Sequence, residues 1–481
     1  MQRYEHAFGK NDIRGIYGDD ITEELYYNIG RGYISWLLKQ NGKNGKDLKI
    51  SVCMDARLHS PVLKQALISG LTDSGIEYIE DYGIAPTPIG YYSEFAHNLD
   101  GALIITASHN PSEYNGLKMT YNHRTLDEVL IKEVKEETFA NWKDLPSKLS
   151  SNDYSTQIIP EYINDMTSRF ASCGKGIKVV VDSANGTGGV VGPELYKKIG
   201  CEVIELYSEP DGNFPNHHPN PSDFSTLQAL SQKVISEEAD LGIAFDGDSD
   251  RIGVIDSQGN PMTGDKLLLI YALDMIEHLG NDINVVSEVK CSQVLYDTIN
   301  NTGAKAIMSK TGHGFIKQKM RETGALLGGE MSGHTFFKDS YYGFDDAVYA
   351  GCRMIKIISE NKSKNPNFKL EDVLSPFKNV STSPEVRYPC PNNLKKTVLE
   401  YVKNAVQTNP DMFGSDIKDI VTLDGMRIVF DGGFALIRQS NTEPVFTLRF
   451  EGKNENECGK YRDAMISCLD NALSEKSTLP C

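Results

Sequence analysis

No apolar run in this chain approaches the ~20 residues that a helix needs to cross a bilayer, so no membrane-spanning segment is expected. The opening residues, Met1-Gln2-Arg3-Tyr4-Glu5-His6, form no hydrophobic signal segment. Closely paired cysteines are also missing. The nine cysteines are Cys53, Cys173, Cys201, Cys291, Cys352, Cys390, Cys458, Cys468 and Cys481, an odd and dispersed set. Such a set points to reduced thiols in a cytoplasmic protein and away from a disulfide framework or a zinc site. Positive charge is in deficit, with 49 Lys and Arg against 66 Asp and Glu and a formal charge of −17. That balance disfavours nucleic acid and anionic membrane as partners. No low-complexity tract interrupts the chain.

What is present is a repeated plan of strand, loop and helix. Lys49-Ile50-Ser51-Val52-Cys53-Met54 reads as a strand, and the apolar period from Val62 to Leu71 reads as the helix after it. Ile177-Lys178-Val179-Val180-Val181-Asp182, followed by Ala184-Asn185-Gly186-Thr187-Gly188-Gly189 and a helical pattern, repeats it. Ile283 to Val286 and the segment from Cys291 to Ile299 give a third copy. Such alternation predicts parallel strands covered by helices. At 481 residues there is room for about three domains with cores of their own. Polar or turn-rich stretches at 147–155, 256–261 and 375–384 mark boundaries. The expected organisation is α/β, with domains at 1–153, 154–259 and 260–380 and a smaller α+β domain at 381–481.

Four loops carry residues suited to chemistry. In Ile104-Ile105-Thr106-Ala107-Ser108-His109-Asn110-Pro111 an apolar stretch delivers a serine into a loop, and Pro111 stops the strand. Asn115-Gly116-Leu117-Lys118 adds a cation nearby. A serine so placed can carry a covalent group, and its neighbours suit an anion such as phosphate. Alone, the segment would read better as a strand-ending Ser/Asn turn. The second loop, Asp246-Gly247-Asp248-Ser249-Asp250-Arg251, follows the apolar run from Leu241 to Phe245. Carboxylates at alternate positions can fold around one hard divalent cation, and Arg251 suits a phosphate beside it. An EF-hand loop is excluded twice, since it needs glycine where Arg251 stands and glutamate where Ser257 stands.

In the third loop, Gly329-Glu330-Met331-Ser332-Gly333-His334, a carboxylate and a hydroxyl two residues apart can bond adjacent sugar hydroxyls. A plain glycine-rich turn is the alternative. In the fourth, Arg438-Gln439-Ser440-Asn441-Thr442-Glu443-Pro444, a guanidinium, two hydroxyls and an amide form a compact donor cluster. Without the arginine, a surface loop would be the better reading.

In this order the four loops resemble the α-D-phosphohexomutase family, and the resemblance spans nearly the whole chain. Its phosphoserine, magnesium, sugar and phosphate loops are matched in turn. So are Asp12-Ile13-Arg14-Gly15, Pro86-Thr87-Pro88, Asp211-Gly212-Asn213-Phe214-Pro215 and Lys310-Thr311-Gly312-His313. The third loop and its continuation through Phe344-Asp345-Asp346 look most like the phosphomannomutase/phosphoglucomutase branch. A phosphatase with an aspartate nucleophile also places Asp-x-Asp after a strand, but the pattern of that family has threonine or valine where Asp250 lies.

The resemblance implies three related α/β domains of mixed or parallel sheet, plus the smaller fourth domain, around a central cleft. It implies a phosphate on Ser108, and one Mg²⁺ per chain held by Ser108, Asp246, Asp248 and Asp250. Phosphate passes to a hexose phosphate to give a hexose 1,6-bisphosphate, both activator and intermediate, which turns round and returns its other phosphate. With the average charge negative, cations must gather locally to draw a phosphosugar. Arg14, Lys118, Arg251, Lys290, His313, Lys317 and Arg438 are the candidates. Glu330, Ser332 and His334 are expected to read the sugar, and Arg438, Ser440, Asn441 and Thr442 the distant phosphate. His109 and Lys118 steady the phosphate on Ser108. For proton transfer, arginine is a poor base, which favours His334 or a Lys118 of lowered pKa over Arg14. His217-His218 is read as a loop contact or no site, because adjacent side chains on an extended chain point apart.

The expected protein is a cytoplasmic monomer or weak dimer. Three other functions compete: a phosphoserine-dependent phosphatase, a non-catalytic phosphosugar sensor, and a phosphoglucosamine mutase. The last has, by family pattern, glutamine in place of Met331 and glycine in place of Asn441. Nothing in the sequence separates glucose from mannose.

Overall fold

Three valines fill Lys178–Asp182, and Leu241–Phe245 is apolar throughout. Such near-continuous hydrophobic strands suit sheets covered on both faces. A computed structural model of the chain bears this out, and it describes residues 2–150, 157–440 and 443–477. Among those residues no helix is long and apolar enough to cross a membrane, and the eight described cysteines are free thiols.

The first sheet runs Ile13–Ile16, Tyr114–Tyr121, Gly101–Ile105, Lys49–Met54, Tyr78–Ile84. Its last three strands are parallel, and Tyr114–Tyr121 is antiparallel to both of its neighbours. The sheet is therefore mixed. Register matters here more than topology. Ile104 pairs with Lys118 and Arg14 with Gly116. With a side-chain period of 2, Arg14 and Lys118 share the face above Gly116, close to where Ile105 ends.

The second sheet has the order Pro261–Met262, Ile252–Ile255, Leu241–Phe245, Lys178–Asp182, Glu202–Leu206. Phe245 pairs with Ile252 in an antiparallel hairpin, so the six residues 246–251 form its connection. The third segment has parallel strands Lys305–Ser309, Asn284–Glu288 and Leu327–Gly329. The last hundred residues form an antiparallel sheet, with Lys395–Thr408 and Glu455–Ser477 as its long helices. These elements give the expected α/β segments followed by an α+β one.

By compactness the chain divides into two units. The first comprises Met1–Thr263, Ser332–Phe336 and Phe344–Leu370; the second comprises Gly264–Met331, Phe337–Gly343 and Glu371–Cys481. In the first unit the helices Glu23–Asn41 and Ser60–Thr72 pack so tightly that a Cβ on Gly70 would fall 2.0 Å from the Tyr27 carbonyl oxygen. The core beneath includes Trp36, Ile50, Val52, Leu103, Ile105 and Leu117. In the second unit Val398, Val402, Phe446, Leu448, Tyr461 and Leu469 are buried together.

One buried carboxyl stands apart from the site chemistry. Glu94, on the helix Thr87–His97, accepts from the His123 backbone N–H at 2.9 Å. Burial pushes its pKa up from 4.5 to about 7. The folded state therefore binds a proton that the unfolded chain releases, and stability falls as pH rises between those two values. Glu94→Gln is expected to stabilise the protein at pH 8 by up to about 3 kcal/mol and to do little at pH 4.5. Urea unfolding of both proteins at the two pH values checks this; an equal effect at both would remove the titration as its cause.

Candidate active site

The strand Gly101–Ile105 ends by handing its chain to Thr106, whose hydroxyl accepts from the Ser108 N–H at 2.8 Å. Ser108 itself has φ of +50°, a left-handed conformation that L-residues avoid. In that pose its hydroxyl donates to Asp246 Oδ2 at 2.9 Å and lies 3.1 Å from His109 Nδ1. Ser108 and Asp246 are 138 residues apart, in loops that follow strands of the first and second sheets.

The hairpin connection 246–251 is folded by its own first aspartate. Asp246 Oδ1 accepts from the N–H groups of Asp250 and Arg251, each at 3.1 Å. The turn brings oxygens of Asp246, Asp248 and Asp250 within 4.8 Å of one another, all three residues buried. Two segments that the sequence marked without chemistry support this turn. The Thr87 hydroxyl donates to Asp248 Oδ2 at 2.6 Å, and its N–H to the Asp248 carbonyl at 2.8 Å. From the other side the Thr187 N–H donates to the Gly247 carbonyl at 3.0 Å. Gly186 passes so close that its Cβ would lie 2.7 Å from the same oxygen.

Three carboxylates in one buried pocket need compensating charge. Lys118, itself buried, reaches Asp248 at 3.2 Å and hydrogen-bonds Asp250. Burial acts to lower the Lys118 ammonium, but Asp248 and Asp250 outweigh it and hold the lysine well above its usual range. The expected lowering of Lys118 is therefore corrected: it is a fixed cation here, because two buried anions face it. Burial likewise opposes ionisation of Asp250, while Lys118 and then His334 hold it below the usual range. Asp246 goes the other way, driven up by burial and then by Asp250 and Asp248.

The Oδ1 atoms of Asp248 and Asp250 are buried and accept no hydrogen bond from the described residues. Hard oxygen donors, clustered and left with free lone pairs, fit a divalent cation such as Mg²⁺.

Arg251 Nε meets His334 Nε2 at 3.0 Å and lies 3.8 Å from Asp246. His334 Nδ1 is 3.1 Å from Asp345 and 3.6 Å from Asp250. Arg14 donates to the Asn110 side-chain oxygen at 3.0 Å and pairs with Asp12. Burial lowers the Arg14 guanidinium, but Asp12 and Asp248 prevail and raise it, so it keeps its charge. His109 is held well below its usual range by burial and then by Arg251 and Arg14, and is neutral at pH 7. In this unit Ser108, His109, Lys118, Arg14, Arg251, His334 and the three aspartates thus come together. Ser332 lies in the same unit, where its carbonyl accepts from Ser222 at 2.9 Å. His217 lies 3.0 Å from Asp182, the last residue of the strand Lys178–Asp182.

The remaining candidates belong to the second unit. Glu330 is buried and accepts from the Gly312 N–H at 2.6 Å, which ties the Lys310–His313 motif to the third loop. Lys290 stands 3.7 Å from Glu288 and 3.8 Å from Glu385. Arg438 donates to Asp424 at 3.1 Å, and Asp424 also accepts from Thr311 N–H at 3.2 Å. Lys395 holds the Ser440 carbonyl at 2.7 Å. His313 begins the helix His313–Thr323. Asn441 and Thr442 lie outside the described residues. Sequence reasoning named neither Asp345 as a partner of His334 nor Asp424 as a partner of Arg438; a lone acid in a turn carries no signal of what it will face.

Four successive segments match the phosphoglucomutase/phosphomannomutase descriptions: α/β/α domain I over 5–143, domain II over 160–259, domain III over 263–377 and the C-terminal domain over 385–467. The chain belongs to the phosphoglucomutase/phosphomannomutase family. It is 40% identical over 471 residues to a phosphomannomutase/phosphoglucomutase of Pseudomonas aeruginosa, covering 97% of this chain and 96% of that protein. With a phosphoglucomutase of Neisseria gonorrhoeae it shares 36% identity over 96% of each. Among solved structures, a phosphoglucomutase/phosphomannomutase family protein from Burkholderia thailandensis superposes with a TM-score of 0.85, at 32% identity and 97% coverage of both chains.

If the three aspartates hold a divalent cation, removing one should weaken its binding without unfolding the hairpin that Asp246 organises. Asp248→Asn is expected to lower Mn²⁺ affinity on the order of tenfold or more, read by electron paramagnetic resonance. Unchanged Mn²⁺ binding would remove Asp248 from the site.

Proposed function

We propose that this protein is a phosphohexomutase that interconverts the 1-phosphate and 6-phosphate of glucose, mannose or both, through a phosphoserine at Ser108. The observation that carries the reading is the Ser108 hydroxyl 2.9 Å from a buried three-aspartate cluster, with Lys118 and Arg251 beside it. Membership of the family and its four consecutive domains support it. In this reading those domains occupy 1–153, 154–259, 260–380 and 381–481.

Asp246, Asp248 and Asp250 would hold Mg²⁺ together with an oxygen of the Ser108 phosphate. That ion would neutralise negative charge on the phosphoryl group as it moves. Lys118 and Arg14, fixed as cations, add to the same neutralisation, and His109 orients the serine oxygen. A sugar hydroxyl attacks phosphorus, the bond from phosphorus to Ser108 Oγ breaks, and the hydroxyl proton passes to His334. His334 Nδ1 lies 3.1 Å from Asp345, and Nε2 is free to take the proton once Arg251 turns from it toward the phosphate. Ser108 Oγ leaves and takes up the proton held on His334, which returns the histidine to its neutral form for the reverse transfer. The product of the first half is a hexose 1,6-bisphosphate.

The bisphosphate must then present its other phosphate to Ser108. Retaining it without a covalent tether requires a second set of donors. Arg438, Ser440, Asn441 and Thr442 supply these for phosphate; toward the sugar, Ser332, Lys290 and His313 donate and the Glu330 carboxylate accepts from hydroxyls. Charged hydrogen bonds contribute roughly 1.5–3 kcal/mol each, so a few suffice. The same bisphosphate, added in trace, would load phosphate onto a serine that had lost it.

The direct test is ³¹P NMR of the protein with Mg²⁺, trace hexose 1,6-bisphosphate, and glucose 1-phosphate or mannose 1-phosphate in parallel. The matching 6-phosphate should appear, and the two rates rank the epimers. Inorganic phosphate as the main product would replace the mutase by a phosphatase, and conversion of glucosamine phosphate alone would make it the glucosamine enzyme. Ser108→Ala should cut turnover by about 10³-fold or more while the fold persists; full residual activity would overturn the covalent scheme.

A further inference from the structure

Ser108 is held in a left-handed conformation, and such a pose persists only where its surroundings over-determine it. One side chain does most of that. Arg57 follows the strand Lys49–Met54 and has no exposed side-chain surface. Its Nη2 donates to the carbonyls of Ser108 at 3.0 Å and Asn110 at 2.7 Å; its Nη1 donates to those of Pro111 at 2.5 Å and Tyr114 at 3.1 Å. Its Nε donates to Asp55 at 2.9 Å, and Asp55 also accepts from the Ala107 N–H at 3.3 Å. The guanidinium thus ties carbonyls along the turn from Ser108 to Tyr114.

The other side of Arg57 faces a motif that the chemistry above leaves unused. The guanidinium carbon lies 5.3 Å from the centre of the Phe214 ring. Gly212 comes so close that a Cβ there would fall 2.4 Å from the Ala56 carbonyl oxygen and 2.7 Å from Arg57 Cα. Residues 211–215 belong to the segment matched as domain II, which also carries the aspartate hairpin. Ser108 meets that hairpin as well: a Cβ on Gly247 would lie 2.5 Å from the Ser108 carbonyl oxygen.

We infer that Arg57, backed by Phe214, is a positioning residue: it fixes the Ser108 carbonyl, and through it the direction of Oγ toward Asp246. The inference rests on Ser108 being the phosphoryl carrier. Only a planar fork of five donors satisfies four carbonyls and a carboxylate at once; a lysine ammonium has three. Arg57→Lys should therefore keep charge and bulk yet release part of the turn. A misplacement of about 1 Å at a reacting atom lowers rate by about 10²-fold.

The experiment compares wild type, Arg57→Lys and Phe214→Leu by steady-state kinetics on hexose 1-phosphate with Mg²⁺, by Mn²⁺ binding and by hydrogen exchange of residues 106–116. Arg57→Lys is expected to lower kcat about 10²-fold with KM within about threefold, to bind Mn²⁺ as wild type does, and to exchange faster only in 106–116. Phe214→Leu should move the same way by about three- to tenfold, and it carries the test should Arg57→Lys fail to fold. Wild-type kcat in the folded variants, or a loss of kcat that only follows the loss of folded protein, overturns the inference. If the wild type converts no hexose phosphate, the mutase reading fails by itself. Hydrogen exchange then decides: faster exchange confined to 106–116 supports the clamp, and unchanged exchange there overturns it.

Discussion

Three carboxylates buried within 4.8 Å of one another are the constraint around which the first unit is arranged. Ionised and unpaired, such a cluster would be severely destabilising. The chain answers with cations from different elements: Lys118 from the strand beside the serine loop, and Arg251 from the hairpin itself. It also divides the labour among the aspartates. Asp250 is held ionised by Lys118 and His334 against burial, whereas Asp246 is driven toward its protonated form. A cation entering the cluster would compete with Lys118 for the same oxygens. The lysine is thus suited to be a resident counter-ion whose partners change when a metal and a phosphate arrive, in keeping with its fixed charge.

The charge cluster explains why residues so far apart in sequence converge. Arg14 and Lys118 share a sheet face because the register pairs Ile104 with Lys118 and Arg14 with Gly116. Pro86-Thr87-Pro88 opens a helix whose first threonine seals Asp248. The glycines at 186 and 188 let that backbone lie against the aspartate hairpin and the Phe245 ring. Each of these short motifs is a packing requirement of the site and not a reagent in it.

This is also where sequence reading succeeds and where it stops. The reactive loops were legible because their chemistry demands particular residue types at short spacing: alternate aspartates after a strand, a serine beside histidine and asparagine, an arginine with hydroxyls. The strands were legible from apolar runs such as the three valines of Lys178–Asp182. The protonation state of Lys118 was not, because it is set by Asp248 and Asp250, more than a hundred residues away. Asp345, which lies 3.1 Å from His334, and Arg57, which sits among backbone carbonyls, were equally silent. Their partners are chosen by tertiary contact, and a carbonyl leaves no trace in the sequence.

A strained serine and a set of hydrogen bonds that tolerate the strain are two aspects of one requirement. A nucleophile that accepts and returns the same group must not relax between the two transfers, since each relaxation would add a reorganisation step to both. Ser108 in an ordinary extended conformation would leave its carbonyl free to seek other donors. In the left-handed pose that carbonyl takes its bond from Arg57, while the N–H is occupied by Thr106 and the hydroxyl by Asp246. In the unphosphorylated residue all three polar groups are thus engaged, and the only bond that chemistry must alter is the one at Oγ.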